Sequence, residues 1–273
     1  MTTTSDIFQR LHPRAYLERF LAEHVRPDGR PFDVGRDLGV NVGSISTADG
    51  SALVRLGNTT VVCGVKAEIA EPELDVGLQG FLVPNLDLPA MCSPRFKPGP
   101  PSEEAQVLSD RLNDALVASH ILPLTSLSIH PNKAAWVLYV DAICINYDGN
   151  VFDAALIAMV EALRNTQLPK ATYDEETGRT TCSRKIKVPL ELDHTHLPVP
   201  LSFGVFDSTH ALADPTSFEE PLLDTTISII LSNTNPDHLI SVTQLGAGHD
   251  ALLSCIEAAK ARCREIVGRD IYK

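Results

Sequence analysis

The sequence has no C-x-x-C pair, no G-x-x-x-x-G-K loop, no G-x-S-x-G elbow and no apolar run long enough to cross a bilayer. Each absence removes a class. The six cysteines (Cys63, Cys92, Cys144, Cys182, Cys255 and Cys263) are scattered, which speaks against a zinc knuckle or a redox pair. Cys63 and Cys144 fall inside apolar, strand-like runs, where a free thiol behaves as a small buried hydrophobe. The missing glycine-lysine loop and the missing elbow remove the two commonest signatures of a phosphate-cradling P-loop and of an α/β-hydrolase nucleophile. The opening text "MTTTSDIFQRLHPRAYLERF" lacks the apolar core of a secretory signal, so the expectation is cytosol or nucleus and no membrane partner. Basic charge is also short. A formal net charge of −12 argues against a surface that grips nucleic acid everywhere, though a local basic patch remains compatible with it.

What is present reads as a folded chain, 44% apolar and without low-complexity tracts, and its 273 residues suffice for one large domain or two ordinary ones. Tyr16, Leu17, Phe20 and Leu21 form the stripe of a short amphipathic helix over residues 15–25, and "RPDGR" then punctuates the chain. Residues 40–69 read as three short strands separated by the turn signals "ADGS" and "LGNT". The proline-rich stretch 78–101 is not expected to be regular throughout. Ser102 is a candidate N-cap for a helix over 103–119, with Leu108, Leu112, Ala115 and Leu116 on its apolar face. Two strands follow around "HPNK", of which 136–145 is apolar enough to be buried on both faces. Residues 151–166 are apolar nearly all round, the pattern of a helix enclosed between layers. "TYDEETGRTT" reads as an exposed connector, β text resumes beyond it, and an amphipathic helix from about His249 to Asp270 closes the chain. The whole predicts an α+β architecture of mixed sheets with packed helices.

The candidates for chemistry are few. "INYDGNVFDAA" at 145–155 is a strand, a tight turn and a helix start, where free N–H groups favour an anion. A phosphate cradle there would want more glycines, or Ser, Thr or Arg. Here Gly149 and Asn150 are followed by bulky Val151 and Phe152, and Asp153 complements the helix dipole. A plain corner is the expectation. The acids Asp214, Glu219, Glu220 and Asp224 read as a loop of solvated carboxylates, and His194 and His196 as an exposed pair on one strand face. Arg95 and Lys97 flank Phe96 on a proline-stiffened loop. They are either ordinary surface charges or a place for single-stranded nucleic acid.

Several phrases taken together resemble the ribonuclease PH family: "RPDGR" at 26–30, "GSISTADGSALVRLGNTTVVCGVKAEI" at 43–69, "AWVLYVDAICINYDGNVFDAALIAMVEAL" at 135–163 and "GVFDSTHALADPTSFEE" at 204–220. Within that family the chain is similar to non-catalytic ring subunits of the RNA exosome. The resemblance implies a ribonuclease PH-like fold, with an N-terminal helix and turn over 1–30, one sub-domain over 31–170, and a second over 171–273 ending in the closing helix. It implies a ring with five other ribonuclease PH-like chains, S1/KH cap subunits, an associated hydrolytic ribonuclease and RNA in the channel. It also implies a nuclear, nucleolar and cytoplasmic location, with no cofactor or metal. Active members hold phosphate on a Gly-Gly-Thr-Arg-like turn where this chain has Gly149, Asn150, Val151 and Phe152. Their two aspartates, six positions apart, fall at Glu220 and Thr226, and an arginine is expected where Asn113 stands. These departures imply a subunit that performs no phosphorolysis; the alternative is an active phosphate-dependent 3′-to-5′ exoribonuclease.

Overall fold

The computed structural model describes residues 4–72, 77–246 and 251–268. Two short helices, α1 (Thr4–Leu11) and α2 (Pro13–Ala22), precede a first sheet built from β1 (Leu38–Val42), β2 (Gly50–Leu56), β3 (Thr59–Ala70), β4 (Phe81–Asp87), β5 (Ser128–His130) and β6 (Ala134–Asn146). Its order is β1-β2-β3-β6-β4, with β5 on the start of β6, and only the β4–β6 pair is parallel. Pro84 is tolerated in β4 because that strand closes the sheet, where a missing N–H leaves no neighbour unpaired. The crossover from β4 carries α3 (Glu103–Ser119), which starts at Ser102, whose hydroxyl accepts from the Ala105 amide at 3.2 Å. At its other end His120 takes a left-handed conformation.

The helix α4 (Val151–Arg164) is buried from Val151 to Leu163, as its all-round apolar text predicts. It packs on β2, β3 and β6 and also on β9 (Pro198–Phe206) of the second sheet. That sheet runs β10 (His210–Ala213), β9, β11 (Thr225–Ser232) and β12 (Leu239–Gly246), all antiparallel. The helix α5 (Leu252–Gly268) packs on β9 and β11 through Cys255, Ala259, Cys263 and Ile266; the expected helix ends His249 and Asp270 lie outside the described residues. A continuous core runs from the first sheet through α4 into the second.

Four expectations change. The run 136–145 is not buried on both faces: Leu138, Val140, Ala142 and Cys144 point into the core, while Tyr139, Asp141, Ile143 and Ile145 are exposed. The alternation of a strand sends successive side chains to opposite faces, and α4 covers one of them. "TYDEETGRTT" is a hairpin tip between β7 (Gln167–Asp174) and β8 (Arg179–Pro189), turned by Asp174 side-chain bonds to Glu176 and Thr177. A boundary after residue 170 therefore cuts β7. His194 and His196 lie on a 3-10 turn capped by Asp193 rather than on a strand. Among the described residues no third ligand joins them. Finally, the N-terminal helix is no separate unit. Leu17 and Leu21 form a small second core with Phe206 and Leu212 at the edge of the second sheet.

Candidate functional site

The turn between β6 and α4 faces a cleft of about 590 Å³. The cleft brings together Arg95, Asn150, Val151, Phe152, Glu220 and Thr226, six sequence candidates drawn from three parts of the chain. Arg111, Tyr147, Ser202 and Ser228 share it. Lys97 is exposed on an adjoining groove that also touches Arg95. Gly149 stands behind the wall. With φ +79°, its Cα faces the backbone of Pro215, Thr216 and Ser217 so closely that an added Cβ would lie 2.5–2.7 Å from it. Glycine is required there by chain packing.

The acid loop is where structure departs furthest from expectation. Asp214 and Glu219 are not solvated; they are 7% and 1% exposed. Arg36 clamps Asp214 through Nε at 2.8 Å and Nη2 at 2.7 Å, and also donates to the carbonyls of Asp148 and Gly149. Arg26 clamps Glu219 and donates to the carbonyls of Ala213 and Asp214. Of the four acids only Asp224 stays well exposed, at 39% of its side chain. A loop rich in carboxylates is buried because arginines from residues 26–36 supply matched donors, the condition on which charges leave water. "RPDGR" is thus a structural clamp on the loop that carries Glu220.

Held this way, Glu220 reaches the helix start. The Asn150 amide donates to its Oε1 at 2.7 Å, and the Tyr147 hydroxyl donates to its Oε2 at 2.6 Å. Burial pushes Glu220 up from its ordinary pKa against the pull of these bonds. Burial and the Glu220 charge push the Tyr147 phenol up as well, so it stays a proton donor at neutral pH. Asp153, expected to complement the helix dipole, turns inward instead. It accepts from the Ser202 amide and hydroxyl and from the Asn150 side chain, and burial raises it to about 6. Burial would also raise Asp214, but the hydrogen bonds and charge of Arg36 prevail and hold it below its usual value.

Arg95 spans the cleft mouth, 2.7 Å from Glu104 and 3.4 Å from the Tyr147 hydroxyl. Phe96, which flanking cations suggested as a stacking platform, is 7% exposed and meets Tyr147 edge-on. It is a core residue. α3 does present an arginine to the cleft: Arg111, two positions before Asn113, lies 4.4 Å above the Phe152 ring and donates to Ser228. The spacing of Glu104, Leu108 and Arg111 on one helical face was the signal that could have found it. Thr226 puts an uncharged hydroxyl on the cleft wall. With two arginines against three glutamates, the lining carries no excess of positive charge.

An α+β protein of two sheets around a buried helix, with an anion-type corner closed by its own carboxylate, is the class that fold and site define. Residues 35–169 match the 3′ exoribonuclease (ribonuclease PH) family, domain 1, and residues 196–262 match domain 2 of the same family. The chain belongs to this family. It is 42% identical over 265 residues to the exosome complex component rrp43 of Schizosaccharomyces pombe, covering 96% of each chain. It is 36% identical over 235 residues to the exosome complex component Rrp42 of Thermococcus gammatolerans, covering 86% of this chain and 84% of that one. Its fold matches a chain of the Archaeoglobus fulgidus exosome with RNA bound to the active site at a TM-score of 0.84 and 29% identity, covering 98% of this chain and all of the other.

Proposed function

We propose that this chain is a non-catalytic ring subunit of an RNA exosome, supporting 3′-to-5′ RNA processing and decay by shaping the channel and holding its neighbours. The observation that carries this reading is the end-to-end identity of 42% with the S. pombe component rrp43. The neighbours are five other ribonuclease PH-like chains and S1/KH cap subunits. Single-stranded RNA passes through the channel toward an associated hydrolytic ribonuclease. Arg95 and Lys97 touch that RNA, and the protein works in nucleus, nucleolus and cytoplasm. A net charge of −12 fits a scaffold whose partners supply the basic surface.

The absence of catalysis is supported by the cleft itself. Glu220 is hydrogen-bonded to the helix start and is not free as an acid, Thr226 carries no charge, and three glutamates balance the two arginines. The deciding experiment is gentle affinity purification at native abundance, followed by intact-complex mass determination. A stoichiometric assembly with five other ribonuclease PH-like chains supports the proposal, and a solitary chain or homo-oligomer overturns it. Incubating the chain with RNA and phosphate should release no nucleoside diphosphates; their release would restore the active-enzyme reading.

A further inference from the structure

The hairpin of β7 and β8 is a two-stranded sheet, and among the described residues no strand other than β7 pairs with β8. A strand with one neighbour keeps a row of N–H and C=O groups facing outward. From residue 179 to 190 the text "RTTCSRKIKVPL" holds four cationic residues and no acidic one, in a chain of net charge −12. The ladder shifts between Pro169 and Ala171, so Lys170 faces a bulge of residues 183–186. Ser183 holds that bulge, its hydroxyl oxygen accepting from the amides of Lys185 and Ile186 at 3.4 and 3.2 Å. Lys170, Lys185 and Lys187 are exposed, and none of them has an ion-pair partner among the described residues. Along 185–188 the order lysine, isoleucine, lysine, valine alternates cation with aliphatic, which is the period of a strand. Ile186 and Val188 are 54% and 44% exposed. We propose that this edge of β8 is a docking site for an extended segment of a partner protein in which acidic and aliphatic residues alternate.

Three observations favour that occupant. Carboxylates on the segment complement the lysines of the hairpin, while the chain's net negative charge disfavours the same segment elsewhere. Aliphatic side chains on the segment cover Ile186 and Val188, and an extended partner repeats every two residues as β8 does. A nucleic acid strand would answer the lysines and leave both aliphatic groups in water. The hairpin also offers it no free ring, since its one aromatic, Tyr173, packs on His130 with centroids 4.7 Å apart. Lysines and a bulge also serve to keep a free edge from pairing, but that role gains nothing from two exposed aliphatic side chains beside them. The inference is independent of ring membership, since it concerns one strand of this chain and the chemistry it presents.

The test uses the full-length chain and three fluorescently labelled probes. One is a short peptide alternating glutamate with valine, the second has the same composition in two blocks, and the third is an oligouridylate. Fluorescence anisotropy should show saturable binding of the alternating peptide. The block peptide cannot present both rows at once and should bind about tenfold more weakly. Replacing both lysines, Lys185→Glu with Lys187→Glu, turns two attractions into repulsions and should weaken the alternating peptide about tenfold. Ile186→Ser keeps every charge and should weaken it about threefold or more, through lost aliphatic contact. All three side chains are exposed, and circular dichroism checks that each variant keeps its fold. The proposal is overturned if the alternating peptide does not bind, if the block peptide binds as tightly, or if Ile186→Ser changes nothing. It also falls if the lysine variant loses oligouridylate binding and keeps peptide binding, because the edge then belongs to RNA.

Discussion

Arg26 and Glu219, 193 residues apart in the chain, form a two-pronged ion pair that neither side chain shares with solvent. Nε meets Oε1 at 2.9 Å and Nη2 meets Oε2 at 2.5 Å, while Nη1 and Nη2 also donate to the carbonyls of Ala213 and Asp214. This contact, with the bonds of Arg30 and Arg36 to Asp214, joins the N-terminal turn to the loop that forms one wall of the cleft. Arg26→Ala strands a buried carboxylate and should cost about 3–5 kcal/mol. Arg26→Lys should recover only part of this, because an ammonium cannot bind both oxygens in the same plane. Urea unfolding of the full chain measures both; a cost near zero for Arg26→Ala would mean that the loop holds itself.

Gly149→Ala should destabilise the fold by about 1–3 kcal/mol or more. The left-handed backbone disfavours a side chain, and the Pro215–Ser217 backbone leaves no room for a methyl group. Thermal unfolding checks this. Loss of any activity in such a variant would therefore report on folding and not on phosphate handling.

The pH dependence has a definite sign. Asp153 is raised by burial to about 6 in the folded chain, against about 4 for an unfolded aspartate. On acidification the folded state takes its proton first, so this group opposes folding at pH 7 and opposes it less as pH falls from about 6 toward 4. Asp214, held low by Arg36, does the reverse, and its contribution is lost as pH drops below the ordinary carboxylate range. Between pH 7 and pH 5 the wild type should thus gain stability relative to Asp153→Asn. The urea midpoint of the wild type minus that of Asp153→Asn should rise from pH 7 through pH 6 to pH 5 if the sign is right. Parallel midpoints would show that Asp153 does not titrate there.

Replacing Arg95 and Lys97 together with alanine should weaken RNA association of the assembled complex and lower its salt slope by about 1–2, without changing subunit stoichiometry. Arg95 is already paired with Glu104, so part of its charge is answered within the chain. Filter binding across a salt series reads the slope. An unchanged slope would make the two residues ordinary surface charges.

Much of the secondary structure was legible because it follows local periodicity. Ser102 and the stripe Leu108, Leu112, Ala115 and Leu116 mark α3, and the all-round apolar text from Val151 to Leu163 marks a helix with covers on several sides. Other features were hidden for a physical reason. The apolar text of β6 does not say that α4 covers one face only, since an apolar strand reads alike whether or not its second face finds a cover. The acid loop looked solvated because no local signal reveals an arginine almost two hundred residues upstream. Arg111 was missed because the resemblance puts the expected arginine at Asn113, and only the fold shows that residue 111 lies on the face of α3 that meets the cleft.

By itself, the sequence determined where the strongly periodic helices α3 and α4 and the strands of residues 40–69 lie, the resemblance to a family through long phrases, and the absence of a glycine-rich phosphate cradle at residues 149–152. Those properties are written in nearest-neighbour sterics and in the spacing of apolar side chains. The tertiary structure alone decided that Glu220 closes the corner at Asn150, that Asp214 and Glu219 are buried, and that Gly149 serves packing. Burial and charge pairing depend on distances through space, and only the folded chain brings residues 26, 36, 150 and 220 within a few bond lengths of their partners.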